Sequence, residues 1–146
     1  MERFLIDLVI AAPPSRVWRA LCDPVEVVQW DTGVMEALDA PPDYPRPGQY
    51  VRWRYRGGFV RILHDRPQEV VPERRLRSLL RVGPLRFDET YTLEPSDGGT
   101  RLTVTMEVIV SIPVIGRLVE RWYALPVSRR AVAASMGALA RHCERG

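Results

Sequence analysis

The chain of 146 residues contains no lysine, so all 21 of its lysine-plus-arginine positions are arginine. With the richness in alanine, valine and proline, this is the mark of coding bias in a GC-rich, bacterial genome. Cysteine and histidine are scarce, with two of each. Cys22, Cys143, His64 and His142 show no CxxC, HExxH or other metal-ligand spacing, so no metal is expected. The two cysteines lie far apart on the faces of two expected helices and read as buried free thiols, which suits a reducing cytoplasm. No apolar run approaches the ~18–20 residues that cross a bilayer, so stable membrane insertion is not expected. The N-terminal MERFLIDLVIAAPPSR lacks a cationic lead and is interrupted by Asp7, which favours a strand over a signal peptide. There is no GxSxG elbow, and the paired glycines fall in hairpin turns and not in a strand-to-helix phosphate loop, so no nucleotide or other cofactor is indicated. The formal charge of +3 is modest and its arginines are dispersed. With no helix-turn-helix, zinc-finger or RNA-binding pattern beside it, nucleic acid is not an expected partner.

What is present is a pattern of strands between helices. A chain of this length reads as one domain, 1–146, able to bury about two thirds of its unfolded surface. Phe4 to Ile10 reads as a strand. Pro13 and Pro14 suit a first helical turn, and Val17, Trp18, Leu21 and Cys22 follow at helical spacing. Asp23 then caps a second short helix, with Pro24 at its first position and Glu26 at the third. Residues 34–38 form a weaker strand, and the proline-rich 40–48 must be a loop. Alternation is clear over 49–56, where Val51, Trp53 and Tyr55 oppose three arginines. Gly57-Gly58 turns the chain into 59–65, and further strands are expected over 75–82, 85–94 and 100–110. Leu118, Trp122, Leu125, Arg129, Val132, Met136, Leu139 and Cys143 form one stripe, a helix of about eight turns. Pro126 should bend it, or start a second helix after a break at Leu125. The expected fold is α+β: an antiparallel sheet covered on one face by the final helix.

Extending each strand's apolar parity turns Trp53, Tyr55, His64, Ser78, Glu89 and Tyr91 inward. Glu89 is the most pointed, because an ionised carboxylate in apolar surroundings costs several kcal/mol unless paired, hydrated or protonated. Arg129 lies within the helix's apolar stripe, so a Glu89–Arg129 contact across a cavity is the economical expectation. A slip at a bulge, or an arginine reaching to solvent, is the alternative. The ligand-lining set is therefore Trp53, Tyr55, Glu89, Tyr91, Leu125, Arg129 and Val132. The candidates for acid–base catalysis are Glu89, His64, Arg129 and Tyr91, with His64 a general base if neutral beside Tyr55 or Tyr91. His142 is expected at the surface. No residue reads as a covalent nucleophile.

Ala12-Pro13-Pro14 through Val17-Trp18, then Leu21, Asp23-Pro24 and Trp30, recur in order with Tyr91-Thr92-Leu93-Glu94-Pro95, Gly98-Gly99-Thr100-Arg101-Leu102 and a terminal Leu139 to Glu144. This set resembles the START-like (SRPBCC, helix-grip) superfamily, most closely its polyketide cyclase/dehydrase-like branch. The resemblance implies about seven curved antiparallel strands around a long C-terminal helix, with two short helices after the first strand. It implies binding of a hydrophobic or aromatic small molecule, lipid, isoprenoid or polyketide-like, between sheet and helix. The alternatives are a cofactor-independent aromatase/cyclase or dehydratase, and a protein-interaction module without ligand. Ligand identity and oligomeric state are not specified.

Overall fold

The alternating segments pair with their chain neighbours. The computed structural model describes residues 2–57 and 59–146, so the expected Gly57-Gly58 turn lies partly outside the described residues. Among the described residues the strands are β1 (Glu2–Ile10), β2 (Val34–Ala37), β3 (Val51–Gly57), β4 (Phe59–Val71), β5 (Arg75–Val82), β6 (Leu85–Ser96) and β7 (Gly99–Val110). They form one antiparallel sheet in the order β1-β7-β6-β5-β4-β3-β2. The chain's first strand thus closes against its last. On β7, Leu102, Val104, Met106, Val108 and Val110 all bury on one face, as period-two alternation requires.

Two short helices, α1 (Pro14–Cys22) and α2 (Pro24–Trp30), follow β1. The Asp23 carboxylate accepts from the Val25 amide at 2.9 Å and caps α2, with Pro24 in its first turn. Glu26 does not complete a capping box. It forms ion pairs with Arg16 at 2.7 Å and Arg19 at 3.0 Å, and meets His142 Nε2 at 2.8 Å. His142, expected at the surface, is thereby held in a largely buried contact that ties the C-terminal helix to α2.

The C-terminal segment is helical from Gly116 to Glu144 but not uniform. A short α3 (Gly116–Val119) passes through one π turn (Glu120–Ala124) into α4 (Leu125–Glu144), with Pro126 in the first turn of α4. The winding changes at Leu125, where α4 begins, but the expected break is not there, and the chain stays helical across it. Met136, Leu139 and Cys143 are buried as the stripe requires, and Leu125 and Val132 are half-buried. Leu118, Trp122 and Arg129 are exposed instead, which corrects the stripe. The inward line runs through Gly116, Glu120, Ala124, Ser128 and Val132, at steps of four. Wider π winding sets that phase, and Glu120 holds it by accepting from the Val110 amide at 2.9 Å.

One position leaves no room for a side chain. A Cβ at Gly99 would stand 2.0 Å from the Ile10 carbonyl oxygen, where β1 and β7 close the sheet. Because the obstruction is backbone, Gly99→Ala should cost roughly 2–3 kcal/mol in denaturant unfolding, at the upper end of overpacking penalties. A change below about 0.5 kcal/mol would mean that this edge yields easily.

Candidate functional site

Cross-strand pairing puts an unusual row of side chains on the sheet's inner face. Trp53 pairs with Leu63, and Val51 with Asp65. Ser78 lies opposite both Pro67 and Glu89, and Leu76 opposite Tyr91. Directly paired residues share a face, so Trp53, Asp65, Ser78, Glu89 and Tyr91 all point inward. This corrects the expected parity of β4. Val60 and Ile62 are exposed and His64 lies with them on the outer face, while Asp65 and Pro67 are buried.

The helix does not fill the space in front of this row. Its close packing is against β1, α1 and α2. Tyr55, Leu63, Leu80, Phe87 and Glu89 face inward on β3–β6 yet stay only half-buried, as do Leu125 and Val132 on the helix side. Partial exposure on the inner face marks a cleft between α4 and the sheet. Glu89, Tyr55 and Tyr91 lie on its sheet side.

Asp65, missed by the sequence reading, is the second carboxyl of the floor. The Tyr44 hydroxyl donates to its Oδ2 at 2.6 Å and the Trp53 indole N–H at 3.1 Å. Tyr44 comes from the proline-rich loop and meets Trp53 edge-on, with centroids 5.7 Å apart. Ser78, which faces inward on β5, also hydrogen-bonds the Asp65 carboxyl. Asp31, at the end of α2, is the third carboxyl. Its Oδ1 accepts from the Gly33 amide at 3.0 Å, and the Ser135 hydroxyl of α4 also hydrogen-bonds it. Thr32 meets Ser135 at 3.0 Å, fixing α4 to the start of β2. The Tyr55 ring lies flush on Gly33, where a Cβ would fall 2.3 Å from Tyr55 Cε2.

Burial raises the pKa of all three carboxyls. For Glu89 the cost of burial comes first, and the negative charges of Asp65 and Asp31 add to it. Tyr91 draws it back only in part, and the carboxyl is pushed up to about 8. A carboxyl held near 8 carries its proton at neutral pH and can offer it to an acceptor in the cleft. Tyr91 is itself raised well above the usual phenol range, first by burial and then by Glu89.

The other catalytic candidates stand apart. Arg129 is exposed, and among the described residues no ion pair joins it to Glu89. Ser128 takes the half-buried place in that turn, leaving the guanidinium in water. His64 Nδ1 meets the Tyr50 hydroxyl, and their rings stack 5.6 Å apart on the outer face. Burial and then Arg81, Arg52 and Arg66 lower its pKa. It lines an open depression of about 510 Å³ that Leu80 and Phe87 also border but Glu89, Tyr55 and Tyr91 do not. Both cysteines are free, and burial pushes Cys22 up to about 12 and Cys143 up to about 11, so neither is poised as a nucleophile.

A sheet wrapped on one long helix, with a polar-floored cleft between, agrees with the comparison to known proteins. The family profile described as "Polyketide cyclase / dehydrase and lipid transport" matches residues 2–144. The chain belongs to that family. A START superfamily protein from Mycobacterium smegmatis superposes with a TM-score of 0.78 at 16% identity, covering 98% of this chain and 97% of the other. A protein from Thermus thermophilus superposes at 0.74 with 22% identity, covering 97% of both chains. DynU16, from the dynemicin biosynthetic locus, superposes at 0.70 with 25% identity, over 99% of this chain and 48% of its own length. A search of curated proteins returns no match. The α+β helix-grip expectation holds, and the START-like family is one of ligand-holding cavities. Among the described residues no helix is long and apolar enough to cross a membrane.

The Glu89 shift has a consequence for stability. Between the ordinary value of 4.5 and about 8, the unfolded chain gives up a proton that the folded chain keeps. Stability should therefore fall as pH rises through that window. Glu89→Gln removes the linkage, so urea unfolding should show a flatter profile between pH 5 and 8 and a gain on the order of a few kcal/mol at the upper end. An unchanged slope would place Glu89 in water.

Proposed function

We propose that the chain binds a hydrophobic or aromatic small molecule, of lipid, isoprenoid or polyketide type, in the cleft between α4 and β3–β6. What supports this reading most is Glu89, half-buried between inward-facing apolar side chains, with its carboxyl pushed up to about 8. Such pockets are mostly apolar with a few placed polar groups. A neutral carboxyl donates to a carbonyl or hydroxyl oxygen, whereas an anionic ligand meets the repulsion of Asp65 and Asp31. The ligand is thus apolar and uncharged, with one oxygen acceptor. Leu125 and Val132 cover its hydrocarbon part, and Tyr55, Tyr91 and Trp53 offer flat surface to an aromatic one.

A second reading, cofactor-independent cyclisation or dehydration, draws on the same carboxyl. A pKa near 8 suits transfer of a proton to a ketone or departing hydroxyl at neutral pH. Tyr91 would orient the reacting oxygen. The family description spans both activities, and DynU16 comes from a biosynthetic locus.

Titration with an environment-sensitive apolar dye bearing a ketone tests the anchor. Glu89→Leu should weaken binding about tenfold with the fold retained by circular dichroism, the worth of one well-placed hydrogen bond. Glu89→Gln, which keeps a donor, should bind near wild type. If the protein is an enzyme, Glu89→Gln should also lose turnover while keeping affinity. Arg129→Met should change nothing. Equal affinity for wild type and Glu89→Leu would move the site elsewhere.

A further inference from the structure

The large apolar residues that the helical phase turns outward form a surface of their own. Leu118, Trp122 and Tyr123 are 61%, 73% and 63% exposed, and Ile115 and Val114 stand beside them in solvent. Val114 is a β-branched residue held at φ 72, a conformation that such residues rarely adopt, and its side chain is fully exposed. Arg117, Arg121, Arg129 and Arg130 flank this cluster, all exposed, and none forms an ion pair among the described residues. The Arg121 guanidinium lies 5.7 Å from the Trp122 ring centroid. Glu120, the one acidic residue between 111 and 130, is buried toward Val110, so no carboxylate faces outward here.

We propose that this surface docks the protein reversibly on an anionic lipid bilayer, with Leu118, Trp122 and Val114 entering the interface and the four arginines meeting lipid phosphates. Charge and chemistry single out that partner. Exposed aliphatic side chains gain nothing from a nucleic-acid backbone, whereas a bilayer offers anionic headgroups and hydrocarbon in one plane without a shaped groove. Tryptophan and tyrosine beside arginine are the residues that settle at headgroup depth. The inner side of the same segment, through Val119 and Leu125, packs with Leu85 and Phe87 at one end of the cleft. Docking would therefore set that end of the cleft against the membrane. The surface goes beyond the cleft reading and stands without it.

The test uses the full chain with vesicles of phosphatidylcholine alone, or with about a third phosphatidylglycerol, a strongly anionic surface. Co-sedimentation and tryptophan emission are the readouts. Trp30 and Trp53 are buried and Trp18 half-buried, so a blue shift reports Trp122. Binding and a blue shift are expected only with phosphatidylglycerol, and raised salt should reverse both. Arg117→Gln and Arg121→Gln should each weaken binding about fivefold. Trp122→Gln should abolish the blue shift and weaken binding roughly tenfold. Glu89→Leu should bind vesicles as wild type does, which separates failure of the cleft reading from failure of this one. Absence of binding, binding to both vesicle types alike, or wild-type binding by the Arg117, Arg121 and Trp122 variants would overturn the proposal. So would a Trp122 blue shift that rises with protein concentration in the absence of lipid, because a second copy would then be the occupant.

Discussion

A carboxyl group in a space that apolar side chains do not fill is the constraint on which the rest of the site depends. Desolvation penalises ionised Glu89, and Asp65 and Asp31 add repulsion. The result is a floor that holds a proton at neutral pH, next to a phenol, under a half-covered cleft. An ordinary core would have placed leucine there and gained stability. A sheet that keeps a half-buried acid with no cationic partner among the described residues forgoes that gain at one point, as functional sites characteristically do.

The surrounding elements maintain that opening. β1 and β7 join the sheet's two chain ends, and α4 packs on that side and on α1 and α2. Glu26 links α2 to both α1 and His142 of α4, and Thr32 meets Ser135 two turns earlier. The helix is anchored along its C-terminal half, while Leu125 and Val132 nearer its start pack toward Phe87 and leave Tyr55, Leu63 and Leu80 of the sheet half-buried. Gly33 lets the Tyr55 ring lie flat against the backbone at the cleft's far wall. The π turn, with Glu120 inward, carries large apolar side chains to the outer surface and leaves Leu125 at the cleft. One irregularity in the helix thus shapes both faces of the same segment.

Much of this was legible in the chain. The strands, the two short helices, the Asp23 cap and the inward set Trp53, Tyr55, Ser78, Glu89 and Tyr91 follow from alternation, because paired strands with one apolar face enforce a single register. Asp65 was hidden because Val60 and Ile62, apolar but exposed, gave β4 the wrong parity, and the same error carried His64 inward. Tyr44 and Asp31 come from a loop and a helix end, where no periodicity predicts direction. Arg129 was drawn into the cleft by an ideal heptad-like stripe. The real helix steps by fours through Gly116, Glu120 and Ala124, small or polar residues that no hydrophobic pattern would select.

The most direct measurement is the titration of the Glu89 carboxyl itself. Carbon-13 NMR of glutamate-labelled protein, assigned through Glu89→Gln, follows its resonance with pH in the folded state. A neutral acid on the cleft floor predicts a midpoint near 8, far above the ordinary 4.5. A midpoint at or below the ordinary value would show that Glu89 is hydrated or paired, and would contradict a protonated anchor.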